Sequence, residues 1–433
     1  MQFFKRHIPE SLLVLIVCIP LVIWLGSDGV GSVTRNPGVF VSSLGKASAL
    51  LGMSLFLMMP VLSIRHAAIT RYFGGFSKAH AMHVKGGKIC FFLIAGHPVL
   101  LGLGRLMRGT PFGTIWDWSS LLVISGILAF MVFATAVGFS IYSHIKHQQW
   151  LLVHHFFGWL IPLYFVHGLL ARNKLLNNKG LFWYFIILGV GGFGAFLYRA
   201  VFARYLIRRY SYEVGEINRL TDEVMEVVLR PIGPQMLFQP GQFAYASFVF
   251  PGVDPEAHPF SFSNSNNGPY VRFTIKTLGD DTATLRDITP GTKAFLEGPY
   301  GDFSYKNTRN TSQVWIAGGI GITPFLSMAR SISEREHYDI RFYYGTDSFE
   351  EAVFLQEFLD ITRHLPERFH TTVVSKEISG FVTLDLLRHS LGRLEVFDYF
   401  ICGPPIMMKT LTRQLIMEGV PPEQIHAEPF SMR

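Results

Sequence analysis

The chain has 433 residues, of which 49% are hydrophobic and 16% charged, and its mean hydropathy is +0.30. This length allows two or three domains, and this composition excludes a disordered or fibrous chain and disfavours a wholly soluble one. The net charge of +7 divides unevenly: 17 basic and 3 acidic residues lie before Tyr205, and 21 basic and 28 acidic residues from Tyr205 onward. The positive excess lies in loops that flank apolar runs, where membrane orientation and anionic lipid explain it. We therefore expect no nucleic-acid partner.

Six apolar runs occupy the first half of the sequence. They cover residues 11–26, 47–64, 82–103, 119–141, 150–170 and 181–204. Each is close to the roughly 20 residues that a helix needs to cross a lipid bilayer. The runs predict six transmembrane helices, with both termini of the chain on the same side of the membrane.

Basic residues predict the orientation of these helices. Lys5 and Arg6 precede the first run, but five further runs follow and no small-residue cleavage site is evident, so we expect an uncleaved helix rather than a signal peptide. With the N-terminus inside, nine Lys and Arg residues of the loops fall on the inner side and six on the outer side. This excess predicts a multi-pass protein of the plasma (inner) membrane with both termini in the cytoplasm.

Four histidines lie inside the apolar runs at a regular spacing. His83 and His97 are 14 residues apart in the third run, and His154 and His167 are 13 residues apart in the fifth. Each spacing corresponds to about 20 Å along a helix. Fourteen residues return to nearly the same helix face, whereas thirteen do so only if Pro162 kinks or rephases the fifth run. Two helices with a histidine near each membrane face can hold two flat haems, one above the other, through imidazole nitrogens.

Other interpretations of these histidines stay open. His155 competes with His154 as the inner ligand, and any one histidine by itself also fits an interfacial or helix-packing role, with glycines allowing close contact. The matched set of four fits that role less well, because ionisable groups inside a membrane are rare. His80, His144 and His147 are expected at the inner surface without a role. Under the haem interpretation, five glycines leave room for porphyrin and three basic side chains are candidate partners of its propionates. These residues are Gly86, Gly87, Gly96, Gly158 and Gly168, and Lys85, Lys88 and Arg105.

After Arg209 the sequence changes to short alternating segments and turns. Residues 242–248 and 270–276, with Pro-Gly and Asn-Gly turns, predict a small antiparallel barrel up to about residue 304. From residue 313 onward, apolar segments alternate with helix-like ones, which predicts βαβ units and a parallel sheet. The expected strands of that sheet are 314–317, 340–344, 370–374 and 399–402.

Two motifs in the barrel region suit a flavin. His-Pro-Phe-Ser at 258–261 follows a predicted strand, and a hydroxyl on a strand can bond the edge of a flavin ring. Gly-Asp-Asp-Thr at 279–282 follows the strand that ends at Lys276, and a glycine turn that opens a helix offers N–H groups to a pyrophosphate. Each motif alone also fits a plain structural role, as strand entry or helix cap. Their order along the chain supports a flavin site.

Two further motifs fall at strand ends in the α/β region. Gly-Gly-Ile-Gly-Ile-Thr-Pro at 318–324 follows a predicted strand and opens a helical run, where bare backbone and a helix start favour a phosphate. A tight turn without a ligand is the alternative. Cys-Gly-Pro-Pro at 402–405 ends the last expected strand, where open α/β sheets place ligands. Cys402 would lie near a nicotinamide or be a plain buried thiol, and Phe430 would cover a flavin face or close the core.

Taken together and in this order, the histidine pairs and the four motifs resemble the ferric reductase and NADPH oxidase (NOX) superfamily, with its bacterial NOX-like flavocytochromes b. The resemblance spans nearly the whole chain and implies a multidomain membrane protein. Its parts would be a six-helix transmembrane di-haem bundle (1–208), an antiparallel β-barrel FAD domain (209–308) and an α/β NAD(P) domain with a parallel sheet (309–433). The last two would form a ferredoxin-reductase-like module.

The resemblance also implies roles for single residues. His83 and His154 would ligate the inner haem, and His97 and His167 the outer one. FAD would be held by His258, Pro259, Phe260, Ser261, Lys276, Gly279 and Thr282. The nicotinamide nucleotide would contact Gly318, Gly319, Gly321, Thr323, Pro324, Cys402, Gly403 and Pro404. Phe430 would shield the flavin until nicotinamide displaces it, so the implied catalytic set is Ser261, Cys402 and Phe430.

The implied activity is electron transfer from cytosolic NAD(P)H through FAD and two b-type haems to an acceptor on the outer face. The acceptor would be O2, giving superoxide, or ferric iron; we favour O2 because the sequence has no outer metal-binding tract. An arginine just after the strand that ends at Gly345 would bind the 2′-phosphate of NADPH. The sequence has Asp347 in this segment and no arginine, so NADH competes with NADPH as the donor. No accessory subunit is evident, and no EF-hand-like loop precedes the membrane domain, so we expect no direct calcium gating.

Two other functions fit parts of this pattern. A membrane electron shuttle would reduce a protein on the outer face, and superoxide formation without any partner would count against it. A transport bundle with a nucleotide-binding regulatory domain would use the histidines as a proton relay and would be colourless. Histidine pairs near both membrane faces favour stacked cofactors over a single midplane substrate site.

Overall fold

The computed structural model describes residues 2–28, 33, 36–65, 69, 71–73, 75–117, 119–142, 147–170, 178–250, 257–277 and 284–428. The chain forms two compact units, Phe3–Leu206 and Ile207–Arg433. Each unit has a hydrophobic core of its own.

The first unit is made of helices. Its long helices are α1 (Gln2–Asp28), α2 (Pro37–Leu62), α3 (Phe76–Leu106), α4 (Leu121–Tyr142), α5 (His147–Leu170) and α6 (Lys179–Leu197). A π-helical turn, Tyr198–Phe202, and the short helix α7 (Ala203–Leu206) follow. Within the described residues, each long helix contains an apolar stretch of 19 to 29 residues, which is enough to cross a membrane.

Helix α2 begins ten residues before its predicted apolar run, in a segment that mixes apolar, small and polar residues. It begins at Pro37, whereas the run begins at residue 47. The side-chain oxygen of Asn36 accepts a hydrogen bond from the Val39 N–H at 2.8 Å, and proline suits the first helical position. Ser42 in this extension is buried and accepts a hydrogen bond from the Arg108 guanidinium at 2.8 Å. The first turns of α2 are thus stabilised by this cap and by a long-range polar contact, and hydropathy detects neither.

Close packing of α2 against α3 depends on small residues. Gly45 and Gly52 lie seven residues apart on α2, and a Cβ added at either would come 3.1 Å from the Cβ of Leu100 or Leu93 on α3. Between them, the Ser48 hydroxyl donates to the Leu93 carbonyl oxygen at 2.5 Å. Small residues on one face let two helices approach closely. The backbone carbonyl groups of α2 therefore come within reach of side chains on α3.

The second unit begins with an antiparallel barrel. Its strands are β1 (Arg209–Arg219), β2 (Val224–Pro231), β3 (Phe243–Val249), β4 (His258–Ser261), β5 (Val271–Lys276) and β6 (Lys293–Tyr300). They pair in the order β4-β3-β6-β1-β2-β5, and a bridge between Phe262 and Phe273 joins the two outer strands. The barrel is therefore nearly closed, as the alternating segments predicted.

A parallel sheet with helices follows the barrel. Its strands are β7 (Ser312–Gly318), β8 (Asp339–Thr346), β9 (Phe369–Ser375), β10 (Asp398–Cys402) and β11 (Ile425–Ala427). Its helices are α8 (Thr323–Ala329), α9 (Leu355–His364), α10 (Lys376–Ser379), α11 (Leu384–Leu391) and α12 (Pro405–Met417). The predicted ferredoxin-reductase-like module is thereby confirmed. Strand β11 was not predicted, because three residues are too few for a periodic pattern.

The order of the parallel strands decides where a ligand would bind. The sheet runs β11-β10-β7-β8-β9, so β7 and β10 are neighbours although two strands separate them in the sequence. Open α/β sheets bind ligands outside the carboxyl ends of their strands, at such a reversal of strand order. The loops after β7 and β10 meet at this point.

Candidate functional site

The helical unit brings two of the predicted histidine ligands together. His83 on α3 and His154 on α5 have ring centroids 5.8 Å apart, with an angle of 62° between the ring planes. His154 also stacks on Trp150, with 4.6 Å between ring centroids. Its neighbour His155 is exposed, whereas His83 and His154 are half-buried. Of the two candidate inner ligands, His154 is the one that meets His83.

Hydrogen bonds to Nδ1 orient three of the four rings. The Nδ1 atoms of His83 and His97 each lie 2.9 Å from a carbonyl oxygen of α2, that of Met59 and that of Gly45 respectively. The Nδ1 of His167 lies 3.2 Å from a serine hydroxyl of α4. A carbonyl oxygen only accepts, so Nδ1 carries the proton in His83 and His97, and Nε2 keeps its lone pair. Metal-binding histidines in proteins are commonly held in this way.

The second predicted pair lies on the same two helices. His97 lies on α3 and His167 on α5. Helix α5 runs through Pro162 without interruption. The His167 ring lies against the α4 backbone, where a Cβ added at Gly126 would come 2.6 Å from its Cε1 atom. The ring of His167, on α5, therefore packs against α4.

The donor set suits haem rather than a bare metal ion. In the part of the chain that the structure describes, no group of three or more His, Cys, Asp or Glu side chains could hold a metal ion. Two imidazoles leave most positions of an iron open, and a porphyrin supplies the other four ligands. His154 Nδ1 is buried without a hydrogen-bond partner among the described residues, as expected where a ligand or water completes a site. The residues present fit a haem held by one histidine from each helix.

Most of the glycines predicted to leave room for porphyrin pack against helices instead. An added Cβ would meet a side chain of a neighbouring helix at Gly86, Gly96 and Gly158. The prediction is wrong for these three, because a glycine that faces another helix serves close approach of the two backbones. The space beside Gly87 and Gly168 is open.

Sequence reasoning missed one histidine beside the inner pair. His80 was assigned to the inner surface without a role, but its ring stacks on that of His83 with 6.2 Å between centroids. The spacing of three residues along one helix face was the signal for this contact. His144, also assigned no role, lies outside the described residues. Of the candidate propionate partners, Lys85 and Lys88 are exposed.

In the second unit, the glycine-rich turn and the Cys-Gly-Pro-Pro loop lie side by side. A Cβ added at Gly321 would come 2.6 Å from the Cys402 carbonyl carbon, and one added at Gly403 would come 2.9 Å from the Gly318 Cα. Gly319 has a φ of +54°, which favours glycine. The turn therefore presents bare backbone at the point where strand order reverses. A nucleotide can approach such a surface closely.

Two hydroxyl groups at this edge have no hydrogen-bond partner among the described residues. Thr323 and Pro324 form the first turn of α8, and both are buried. The Thr323 hydroxyl has no hydrogen-bond partner among the described residues, and neither has that of Thr346 at the end of β8. Buried hydroxyls are normally hydrogen-bonded. These two therefore support a ligand at the carboxyl ends of β7 and β8.

The His-Pro-Phe-Ser motif forms strand β4 at the edge of the barrel. His258, Pro259 and Phe260 are half-buried and Ser261 is buried, and the strand pairs with β3. The Phe260 ring packs against Phe273 at 5.7 Å between centroids. The motif thus presents part of its surface, as a flavin-binding strand requires. The other predicted residues Gly279, Thr282 and Phe430 lie outside the described residues.

A cavity of about 380 Å³ borders the glycine-rich turn, and acidic side chains line much of it. Among its lining residues are Asp222, Glu223, Glu350 and Glu351, together with Lys276. The Lys276 ammonium lies 3.3 Å from a carboxylate oxygen of Glu223 and 3.8 Å from one of Glu351. Lys276, predicted to hold FAD, thus links a barrel loop to the α/β region. Sequence reasoning missed the four acids, whose main signal was the net negative charge of this half.

A buried ion network joins the barrel to the α/β region. The Arg330 guanidinium binds both carboxylate oxygens of Glu357, at 2.6 and 2.7 Å, and one of Glu226 on β2 at 3.3 Å. It also donates to the Ser263 carbonyl oxygen at 2.5 Å. Burial opposes the charge of Arg330, but Glu357 and Glu226 outweigh it and raise the pKa of the guanidinium. Sequence reasoning missed this residue, because a single arginine after an apolar helix carries no distinctive pattern.

Cys402 ends β10 and is fully buried. Its thiol donates to the Glu428 carbonyl oxygen at 3.3 Å. Burial raises the pKa of the Cys402 thiol well above its usual range, and the charge of Glu428 adds to this effect. The thiolate is the nucleophilic form of cysteine. Cys402 is therefore suited to contact a ligand as a neutral group and not to attack one.

Comparisons with known proteins match about half of the chain. Residues 315–413 match the oxidoreductase NAD-binding domain family. The reductase component of propane 2-monooxygenase from Mycolicibacterium smegmatis is 30% identical over 238 residues, which are 51% of this chain and 67% of that protein. The same component from Rhodococcus jostii is 30% identical over 50% of this chain and 62% of that protein. A flavohemoprotein from Rhizobium meliloti is 27% identical over 50% of this chain and 59% of that protein.

The chain thus spans less than two thirds of the latter two relatives. Among solved structures, the FAD/NAD-binding domain of a nitric oxide dioxygenase from Vibrio cholerae is 24% identical with a TM-score of 0.45. That match covers 51% of this chain and 98% of the other. The barrel, the parallel sheet and the nucleotide turn agree with the sequence match to the Mycolicibacterium reductase component. The chain therefore belongs to the ferredoxin-reductase-like family of FAD- and NAD(P)-binding oxidoreductases.

Proposed function

We propose that this chain is a membrane-spanning NAD(P)H oxidoreductase of the plasma membrane. Its C-terminal module takes electrons from NAD(P)H on the cytoplasmic side, and its helical unit holds two b-type haems that lead to an acceptor on the outer face. One observation carries the proposal: two apolar helices bring His83 and His154 to 5.8 Å, in a chain that belongs to the FAD- and NAD(P)-binding oxidoreductases.

The chain's own residues would divide the work between the two units. When bound, FAD would accept a hydride from NAD(P)H and pass on its two electrons one at a time, and a haem with two imidazole ligands would carry single electrons. The bare backbone at 318–321 gives the nucleotide access to the sheet, and Ser261 on β4 would bond the flavin edge. On α3, His83 and His97 would hold the irons through Nε2, with His154 and His167 as the ligands from α5. The apolar helices keep water and ions out of the path.

We propose O2 as the acceptor, with superoxide as the product. A ferric chelate is usually anionic and would need free positive charge on the outer side. Two of the six outer basic residues, Arg105 and Arg108, donate hydrogen bonds to carbonyl oxygens, of Ile115 at 2.5 Å and of Gly38 at 2.6 Å. These bonds leave the guanidinium charges in place, so the proposal of O2 rests on the sequence, which has no outer metal-binding tract.

A protein acceptor is the second candidate. Two of the relatives are named as reductase components of an oxygenase, which supports transfer of electrons to a protein partner. Superoxide formation by the purified chain alone would favour O2. Reduction of haem without superoxide, in air, would favour a protein acceptor.

The test is the visible spectrum of the detergent-purified chain before and after anaerobic NADH or NADPH. We expect flavin absorption and bis-histidine haem bands, with two haems per chain and haem reduction by nucleotide. His154→Ala should remove one haem, and the matched control His155→Ala should keep both. A colourless protein, or haem that neither nucleotide reduces, would refute the proposal and favour a transport bundle. Loss of haem in His155→Ala alone would refute the assignment of His154.

A further inference from the structure

We propose that Ser125 on α4 is a positioning residue for the outer haem iron, acting through His167. This inference rests on the proposed function, because it concerns a histidine taken there as an iron ligand. It assigns to a third helix, α4, a part in a site predicted to lie on α3 and α5 alone.

The argument starts from the proton count at Ser125. Its hydroxyl oxygen lies 3.0 Å from the Leu122 carbonyl oxygen and 3.2 Å from the Nδ1 atom of His167. A hydroxyl has one proton and two lone pairs. Because the Leu122 oxygen only accepts, a hydroxyl proton directed to it leaves Ser125 Oγ to accept from Nδ1–H of His167. His167 is thereby fixed in the tautomer that leaves Nε2 free for a metal.

The other histidines show why this contact stands apart. His83 and His97 give their Nδ1 protons to backbone carbonyl oxygens, which no side-chain substitution removes. His154 Nδ1 has no hydrogen-bond partner among the described residues. Among the described residues, His167 is therefore the one of the four whose Nδ1 hydrogen bond goes to a side chain.

The His167 ring is also packed tightly next to its contact with Ser125. The His167 ring lies against the α4 backbone at the next residue, Gly126, where an added Cβ would come 2.6 Å from Cε1. The ring is thus held from one side by the backbone and at Nδ1 by the hydroxyl. Loss of the hydroxyl removes the polar restraint and leaves the steric one.

A hydrogen bond to the outer nitrogen makes an imidazole a stronger donor to its metal, and loss of such a contact typically costs 10- to 100-fold in metal affinity. A stronger donor favours the ferric over the ferrous state. If Ser125→Ala weakens the ferric state about tenfold more than the ferrous state, the potential of that haem rises by about 59 mV for one electron. The haem of His83 and His154 should be unaffected, because its contacts do not involve α4 hydroxyls.

The experiment is a spectroelectrochemical titration of the full chain in detergent, with haem counted per chain. We expect two one-electron waves in the wild type. Ser125→Ala should raise one wave by about 59 mV, or release one haem. Ser125→Thr, which keeps the hydroxyl, should restore the wild-type pattern. Ser140→Ala is the matched control, because this serine on the same helix donates only to the Ala136 carbonyl oxygen, at 2.9 Å.

The outcomes separate this inference from the proposed function. A wild-type protein without haem would refute both. Two haems in the wild type, with Ser125→Ala keeping both haems at unchanged potentials, would refute the role of Ser125 alone. Equal shifts in Ser125→Ala and Ser140→Ala would also refute it, because they would show a general effect of polar loss on α4.

Discussion

Arg330 should be among the residues on which the stability of the flavin module depends most. Its guanidinium joins Glu357 in a two-bond contact and reaches Glu226, and the side chains of Arg330, Glu357 and Glu226 are 16%, 35% and 7% exposed. Removal of one partner from a buried ion pair typically destabilises a protein by about 3–5 kcal/mol, because the other charge stays buried. We expect the low end, about 3 kcal/mol, for Arg330→Ala, since Arg272 still lies 3.3 Å from Glu226.

The assay is thermal unfolding of the full chain, followed by the rise in fluorescence as FAD is released. For a module of this size, 1 kcal/mol shifts the Tm by about 2–4 °C, so Arg330→Ala should lower it by about 6–12 °C. Arg330→Lys should recover only part of this, because an ammonium cannot make the two-bond contact. The matched control is Arg363→Ala, whose ion pair with Asp360 has the same 2.6 Å distance but is 67% and 48% exposed.

An exposed pair contributes less than about 1 kcal/mol, so Arg363→Ala should shift the Tm by less than about 4 °C. Equal shifts for the two alanine variants would refute the reasoning, since burial would then have no effect. A double-mutant cycle of Arg330→Ala with Glu357→Gln gives a second check. Additive losses in that cycle would show that the two side chains do not interact.

Three further predictions concern the nucleotide site. Gly321→Ala should destabilise the module by about 1–3 kcal/mol and raise the KM for NAD(P)H, because its Cβ would come 2.6 Å from the Cys402 carbonyl carbon. The control is Gly233→Ala, since the space around Gly233 is open. Equal KM values for the two variants would contradict the close approach at Gly321. Cys402 should resist iodoacetamide at pH 8 in the folded chain and react after unfolding, because burial raises the pKa of its thiol. The stability that this neutral thiol contributes is fully present below the unfolded pKa of about 8.5 and is lost as pH rises through the folded pKa. Rapid labelling of the folded protein would contradict this prediction. The wild type should prefer NADH, and Asp347→Ser should raise the NADPH-to-NADH ratio of kcat/KM at least about tenfold, or 1.4 kcal/mol. The substitution removes a negative charge and frees Lys376, whose ammonium lies 3.3 Å from the Asp347 carboxylate. An unchanged ratio would show that the ribose 2′-position of the nucleotide does not lie beside Asp347.

Local patterns in the sequence were enough to predict most of the architecture. The apolar runs gave helices α1 to α6 because helix length and membrane thickness are linked, whatever the neighbours of each helix. Alternation and turn residues gave the barrel, and the change to βα rhythm gave the parallel sheet. The glycine-rich turn was recognisable for the same reason, since close backbone approach requires glycine at particular positions along a short segment.

The candidate site was predicted only in part. Spacing along α3 and α5 selected the four histidines, but it could not choose between His154 and His155, which differ by about 100° around one helix. The acids of the cavity came from a barrel loop and from the segment after β8, which are distant in the sequence. No local pattern links them, because only the packing of the barrel on the sheet brings them together.

What the sequence determined by itself, therefore, are the features that depend on neighbours along the chain: helix length, strand alternation and the bare backbone of the nucleotide turn. Tertiary structure alone decided which glycines pack against helices, that Arg330 joins Glu226 to Glu357, and that Ser125 restrains His167. The physical reason is that these contacts join residues 27 to 104 positions apart. Their formation depends on the direction in which each side chain leaves its helix or strand, which is fixed only when the elements pack.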